Sequence, residues 1–95
     1  MLASLPVDLN KVKNADMDKE ILRAGMIAEL DAVNFYEQMA AKATNKHVKE
    51  LLLDIAREEK THLAEFETLL LELGKEQVAE NKKGRAEALE IMGKK

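Results

Sequence analysis

Arg57-Glu58-Glu59-Lys60-Thr61-His62 lies inside a run with the periodicity of one long amphipathic helix. Apolar residues flank it at alternating steps of four and three: Val48, Leu52 and Ile55 before it, Phe66, Leu69 and Leu73 after it. That spacing turns one helix face toward one partner along its whole length. Continued through the stretch, the series lands on positions 59 and 62, which hold Glu and His. A carboxylate and an imidazole thus replace two core residues in the middle of a hydrophobic seam. Burying a charge without a partner costs several kcal/mol or forces a pKa shift. A Glu and a His one turn apart, both pointing inward, are a pair that a divalent metal satisfies.

Working outward, the pattern predicts the second helix over 47–73, with Gly74 as its C-terminal cap. Thr44-Asn45-Lys46 interrupts the periodicity, and Asn tolerates the left-handed conformation that ends helices. Upstream, a first helix is predicted over 15–43. Asn14 or Asp16 is placed to cap it, and Asp16, Asp18 and Glu20 lie near its positive end. One seam of this helix is Ile21, Gly25, Ala28, Ala32, Phe35 and Met39, whose small residues admit a close neighbour. The adjacent seam is Leu22, Met26, Glu29, Val33, Tyr36 and Ala40, again interrupted by a single carboxylate, Glu29. A break this short joins antiparallel neighbours. Glu29 lies sixteen residues before Asn45, and Glu59 and His62 lie fourteen and seventeen after it. With equal rise per residue, all three reach nearly the same height.

The rest of the chain is plainer. Residues 1–14, with Pro6, read as an irregular arm. Positions 75–95 are polar; Gly84 reads as a break, followed by a short helix over 85–92 with Ala88, Leu89 and Met92 on one face. The 95 residues make a single domain, 1–95, rich in Ala, Leu, Glu and Lys with 35% charged residues and one Pro. That is helical composition. With no Cys, disulfides, iron–sulfur clusters and thiolate zinc sites are excluded within the chain. A net charge of −3 and no basic patch argue against nucleic acid as a partner. No apolar run reaches the roughly 18 residues that a membrane span needs. The first residues lack a basic region leading into a long apolar stretch, so no signal peptide is read and a cytosolic chain is expected. Two or three helices make a thin core at this size, so oligomerisation is expected.

The expected fold is all-α: an antiparallel two-helix hairpin plus a short C-terminal helix, completing a ferritin-like four-helix bundle by dimerisation. In bundles of that kind a di-iron centre takes one Glu from each of two helices and Glu-x-x-His from each of the other two. The hairpin carries half of this set in Glu29, Glu59 and His62, as catalytic and metal-binding residues together, and two copies about a two-fold axis supply the whole. Oxygen and imidazole ligands without sulfur suit iron or manganese, and zinc competes. The plain alternative puts Glu59 and His62 on a solvated face. Glu58 reads as a surface charge able to pair with Arg57 or His62, and His47 as a surface residue. Glu65 is either an outer ligand or solvated. The Tyr36 hydroxyl either reaches a ligand or reaches solvent. Asp31 either helps a metal ion in or faces solvent. Phe35 reads as core.

The stretch Glu29-Leu30-Asp31-Ala32-Val33-Asn34-Phe35-Tyr36-Glu37-Gln38, followed in order by Arg57-Glu58-Glu59-Lys60-Thr61-His62, resembles the encapsulated ferritin family. The resemblance spans about residues 20–75. It implies a ferroxidase, oxidising Fe(II) to Fe(III) with O2, that works as a two-fold dimer within a larger ring and holds iron between subunits. It also implies service to iron storage inside an encapsulin nanocompartment, with the shell protein as partner. By position, Glu29, Glu59 and His62 match the family's ferroxidase ligands. Asp31 matches an acidic residue where metal is admitted, and Tyr36 matches a Tyr beside it. Phe35 stands where some members have Trp. Ala28 departs from members that carry a second acidic residue there, and the C-terminal residues show no recognisable cargo-targeting peptide. The rival expectations are a non-enzymatic helical dimerisation module and a rubrerythrin-like di-iron peroxidase. The latter would lack the cysteine-ligated iron domain that usually feeds it electrons.

Overall fold

The structure, a computed structural model, describes residues 7–94, and among these there are three α-helices and no strand. Helix α1 is Met17–Lys42, α2 is Lys46–Leu73 and α3 is Lys75–Ile91. Two single turns of 3-10 helix, Leu9–Lys11 and Asn14–Asp16, precede α1. The arm expected to be irregular is therefore partly helical where it is described. Residues 1–6, including Pro6, and Lys95 lie outside the described residues.

The reversal at Asn45 works differently from the expectation. Asn45 is extended (φ −77°, ψ 128°), not left-handed. It starts α2: its Oδ1 accepts the backbone N–H groups of His47 at 2.9 Å and Val48 at 3.1 Å. Those donors have no partner within a helix, so a cap of this kind contributes about 1 kcal/mol. Helix α1 ends because Ala43 leaves helical dihedrals (φ −66°, ψ 136°). At the start of α1, Asp16 occupies the cap position but makes no capping bond, and its carboxylate pairs instead with Lys19 at 3.5 Å.

Gly74 ends α2 and also starts α3. Its N–H donates to the Leu70 carbonyl at 3.0 Å, and its own carbonyl accepts from Val78 at 3.4 Å. The expected break at Gly84 is absent, and α3 runs straight through it. One glycine costs a helix about 1 kcal/mol relative to Ala, and its neighbours are good helix formers. Gln77 also bonds Asn81 one turn on, at 2.8 Å. The glycine that stops α3 is Gly93, at φ 72°. Around it the Gly93 N–H reaches the Glu90 carbonyl at 2.9 Å and the Lys94 N–H reaches Leu89 at 2.8 Å, the crossed pair of a Schellman motif.

Helices α1 and α2 pack antiparallel. On α1 the covered seam is the second one, with Val33 and Ala40 buried. On α2 the covered line runs through Ala56 and Leu70, and Leu52, Glu59, Leu63 and Phe66 fall on it at helical spacing. This corrects the predicted spine: Val48, Leu69 and Leu73 are exposed at the edge of the interface. An ion pair between exposed side chains crosses the two helices, Lys60 Nζ to Glu37 Oε2 at 2.8 Å. Being exposed, it adds at most about 1 kcal/mol.

The two faces of the hairpin differ. On one, Ile21, Leu22, Leu69 and Leu73 line a shallow groove, which continues past Leu69 into a second lined by Glu29, His62, Glu65 and Phe66. On the other, the first turns of α3 lie near α1, with Gln77 and Asn81 sharing a groove with Met26, Ile27 and Leu30.

Candidate metal centre

The equal-height count holds in three dimensions. Glu29 from α1 and Glu59 and His62 from α2 each offer a ligand atom, and these lie within 4.8 Å of one another. His62 Nδ1 is 3.6 Å from Glu29 Oε2 and 3.7 Å from Glu59 Oε2. These distances exceed hydrogen bonds, so the imidazole approaches both carboxylates without a close bond to either. Glu29 and Glu59 are largely covered, with side chains 16% and 20% exposed, while His62 at 44% lines the open groove.

Electrostatically the cluster is unsatisfied. Glu29 Oε2 is buried and accepts no hydrogen bond. Burial, and then the Glu59 carboxylate beside it, push the Glu29 carboxyl above its ordinary range, with His62 acting in the opposite sense. A buried polar atom without a partner in a native protein calls for an explanation such as a bound ion. Two carboxylates and an imidazole are the donor set that iron, manganese or zinc accepts, so the residues present fit a divalent metal.

The other sequence candidates fall outside the cluster. Tyr36 packs edge-on against Phe35, with ring centroids 5.1 Å apart at 70°. Asp31, two residues past Glu29, is rotated away from the ligand face by helix geometry and is not one of the converging group. Glu58 is exposed, and Arg57 pairs with Asp54 at 3.4 Å, not with Glu58. His47 is on the surface, with Glu50 at 3.8 Å. Glu65 is exposed but lines the same groove as Glu29 and His62. One contact was missed: the Phe66 ring lies against the backbone of Gly25. The signal was there, since Gly25 is twenty residues before Asn45 and Phe66 twenty-one after it.

An all-helical chain that gathers two glutamates and a histidine from an antiparallel hairpin is ferritin-like in fold and in the character of its site. The chain belongs to the rubrerythrin family, whose model matches residues 20–94. It is 48% identical over 95 residues to a ferritin-like–encapsulin shell fusion protein of Pyrococcus furiosus. That match covers 98% of this chain but 28% of the relative, so the chain spans less than a third of the fusion's length. Among solved structures it is similar to the encapsulated ferritin domain from Pyrococcus furiosus, with a TM-score of 0.83 and 46% identity over 98% of this chain and 97% of that one. The resemblance to encapsulated ferritins is thereby borne out. No helix among the described residues is long and apolar enough to cross a membrane.

Proposed function

We propose that this chain is a ferroxidase domain that oxidises Fe(II) to Fe(III) with O2 at a di-iron centre shared between two copies. The observation that carries this is the convergence of Glu29, Glu59 and His62 around an orphaned carboxylate oxygen. Three ligands per chain are half of what a two-metal carboxylate site uses. A second copy about a two-fold axis supplies the other half. The groove beside His62 is open, and its apolar flank at Leu69, Leu73 and Ile21 is exposed, as a dimer face would be.

Fe(II) is the substrate. Glu29 and Glu59 offer anionic oxygens, and His62 offers a neutral ring nitrogen that leaves the site less negative than a third carboxylate would. Two Fe(II) ions held together each give up one electron; O2 accepts the pair and, with two protons, leaves as hydrogen peroxide. Manganese or zinc fits the same donors, and zinc, lacking redox chemistry, occupies them without turnover. Asp31 is the candidate for admitting metal, and Tyr36 for a place beside that entry or behind a ligand. The dimers assemble further into an open ring as a single-domain subunit, and an encapsulin shell encloses the ferric product in the cytoplasm. The likeness to a shell fusion and to an encapsulated domain supports that setting.

Stopped-flow Fe(II) oxidation tests the proposal. Glu59→Ala or His62→Ala is expected to slow oxidation roughly 100-fold or more, since even outer partners of a metal ligand are worth 10–100-fold. Neither is expected to unfold the hairpin. A simple dimerisation module would show no oxidation to lose and a weaker dimer in both variants. Oxidation at the wild-type rate by Glu59→Ala would overturn the assignment.

A further inference from the structure

Gly25 lies one turn before Glu29 on α1, and Phe66 one turn after His62 on α2. A Cβ placed on Gly25 would stand 2.5 Å from Phe66 Cε1 and 2.8 Å from both Cδ1 and Cζ. Non-bonded carbons rest at about 3.5–4.0 Å, so the ring fills the volume that any other side chain at 25 would claim. The backbone does not require glycine here, because the only positive-φ glycine among the described residues is Gly93. In mid-helix glycine is less favourable than alanine. Gly84, also in mid-helix, has nothing within 4 Å of its would-be Cβ. The two helical glycines therefore differ in kind, and the one at 25 is there for the ring.

We propose that Gly25 and Phe66 form a positioning pair for the metal centre, an inference that rests on the metal-site reading above. The ring seated on the bare backbone of residue 25 sets how closely α1 and α2 approach at the height of Glu29, Glu59 and His62. The same ring is a wall of the groove of about 320 Å³ that Glu29 and His62 line. A methyl group at 25 leaves two ways out. Either the ring swings into the groove and crowds His62, or the helices part and carry Glu29 away from the imidazole now 3.6 Å from it. Each alters the ligand geometry, and metal sites need their donors held within roughly 0.5 Å.

The test uses the full chain with Co(II) as probe, whose visible absorption reports coordination geometry independently of iron oxidation. Gly25→Ala and Phe66→Leu are each expected to change the Co(II) band and weaken binding, by roughly tenfold. The double variant, in which the new methyl fills the space given up by the shorter side chain, is expected to recover the wild-type band and affinity. Leu70→Ala, a buried truncation away from the groove, should lose thermal stability yet keep the Co(II) spectrum, and Gly84→Ala should keep the spectrum with no loss of stability. Wild-type Co(II) binding in both single variants would overturn the proposal, as would a double variant no better than either single one. If Gly25→Ala does not fold by circular dichroism, Phe66→Leu against the double variant still decides. A wild-type chain that binds no Co(II) would strike the metal-site reading itself, a result separate from either of these.

Discussion

Helices α2 and α3 draw on much the same residues and are joined through one glycine, yet they are helices for different reasons. Helix α2 repeats large apolar residues every three or four positions, and its covered line packs on α1. Helix α3 has only Val78, Leu89 and Ile91 as large apolar residues over its whole length, and nearly all of it is exposed, Ile91 at 87%. A helix of this length standing on propensity alone is marginal in water. Good helix formers, the Gln77–Asn81 bond and the Gly93 terminus hold α3; burial holds α2. The contrast shows that the hairpin carrying Glu29, Glu59 and His62 is fixed by tertiary packing, while the C-terminal helix is specified locally.

The contrast is most easily broken at matched alanines. Ala56 is 2% exposed on α2, whereas Ala86 on α3 is exposed. Ala56→Asp buries a charge with no partner and should cost about 3 kcal/mol or more, enough to unfold the isolated chain. Ala86→Asp should stay within about 0.5 kcal/mol. Urea melts followed by circular dichroism give both values, and equal losses would mean that α3 is docked as firmly as α2.

Metal should sharpen the same division. Zn(II) at a hundred times its dissociation constant is expected to stabilise the folded chain by about 2.7 kcal/mol. Hydrogen exchange should show the added protection in α1 and α2, with amides beyond Asn81 exchanging as before. Protection spread evenly through α3 would contradict the separation.

A smaller effect comes from pH. The Glu29 carboxyl is raised in the folded protein from an ordinary 4.5, by burial and then by Glu59. The folded state therefore holds its proton more tightly than the unfolded state does. Its contribution to stability is full below about 4.5 and is lost as pH rises through the raised value. Metal-free Glu29→Gln should remove that dependence and melt a few degrees higher at neutral pH, with the α3 signal unaffected. A lower melting temperature for the metal-free variant would mean that Glu29 is satisfied in the free protein. Smallest of all, Gly84→Ala should stabilise α3 by about 0.5–1 kcal/mol, read as reduced fraying in far-UV circular dichroism.

The hairpin was legible because its signals were redundant: two long periodic runs, one short interruption, and polar residues at matching distances from Asn45. The face that α2 turns inward was not. Leu51, Leu52 and Leu53 are consecutive, as are Leu69, Leu70 and Leu71, so more than one line along the helix reads as apolar. Periodicity cannot then separate the line that meets α1 from the line left exposed. Glu59 was found because it falls on the covered line itself, and His62 because it lies beside that line, at the open groove. Gly84 misled because a weak local preference was read without the neighbours that outweigh it. The terminator, Gly93, lay nine residues further on.

The capped reversal at Asn45 also sets the order in which the hairpin can form. Each contact between α1 and α2 encloses a loop whose length grows with distance from that residue, and closing a short loop costs little. A chain whose contacts extend stepwise from one turn has few topological detours, the property that goes with rapid folding. Ala40 lies five residues from the turn, Glu29, Glu59 and His62 about sixteen, and Gly25 with Phe66 about twenty. In a zipper started at Asn45, the donors meet before the ring closes over Gly25 and before the far ends of the helices have come together.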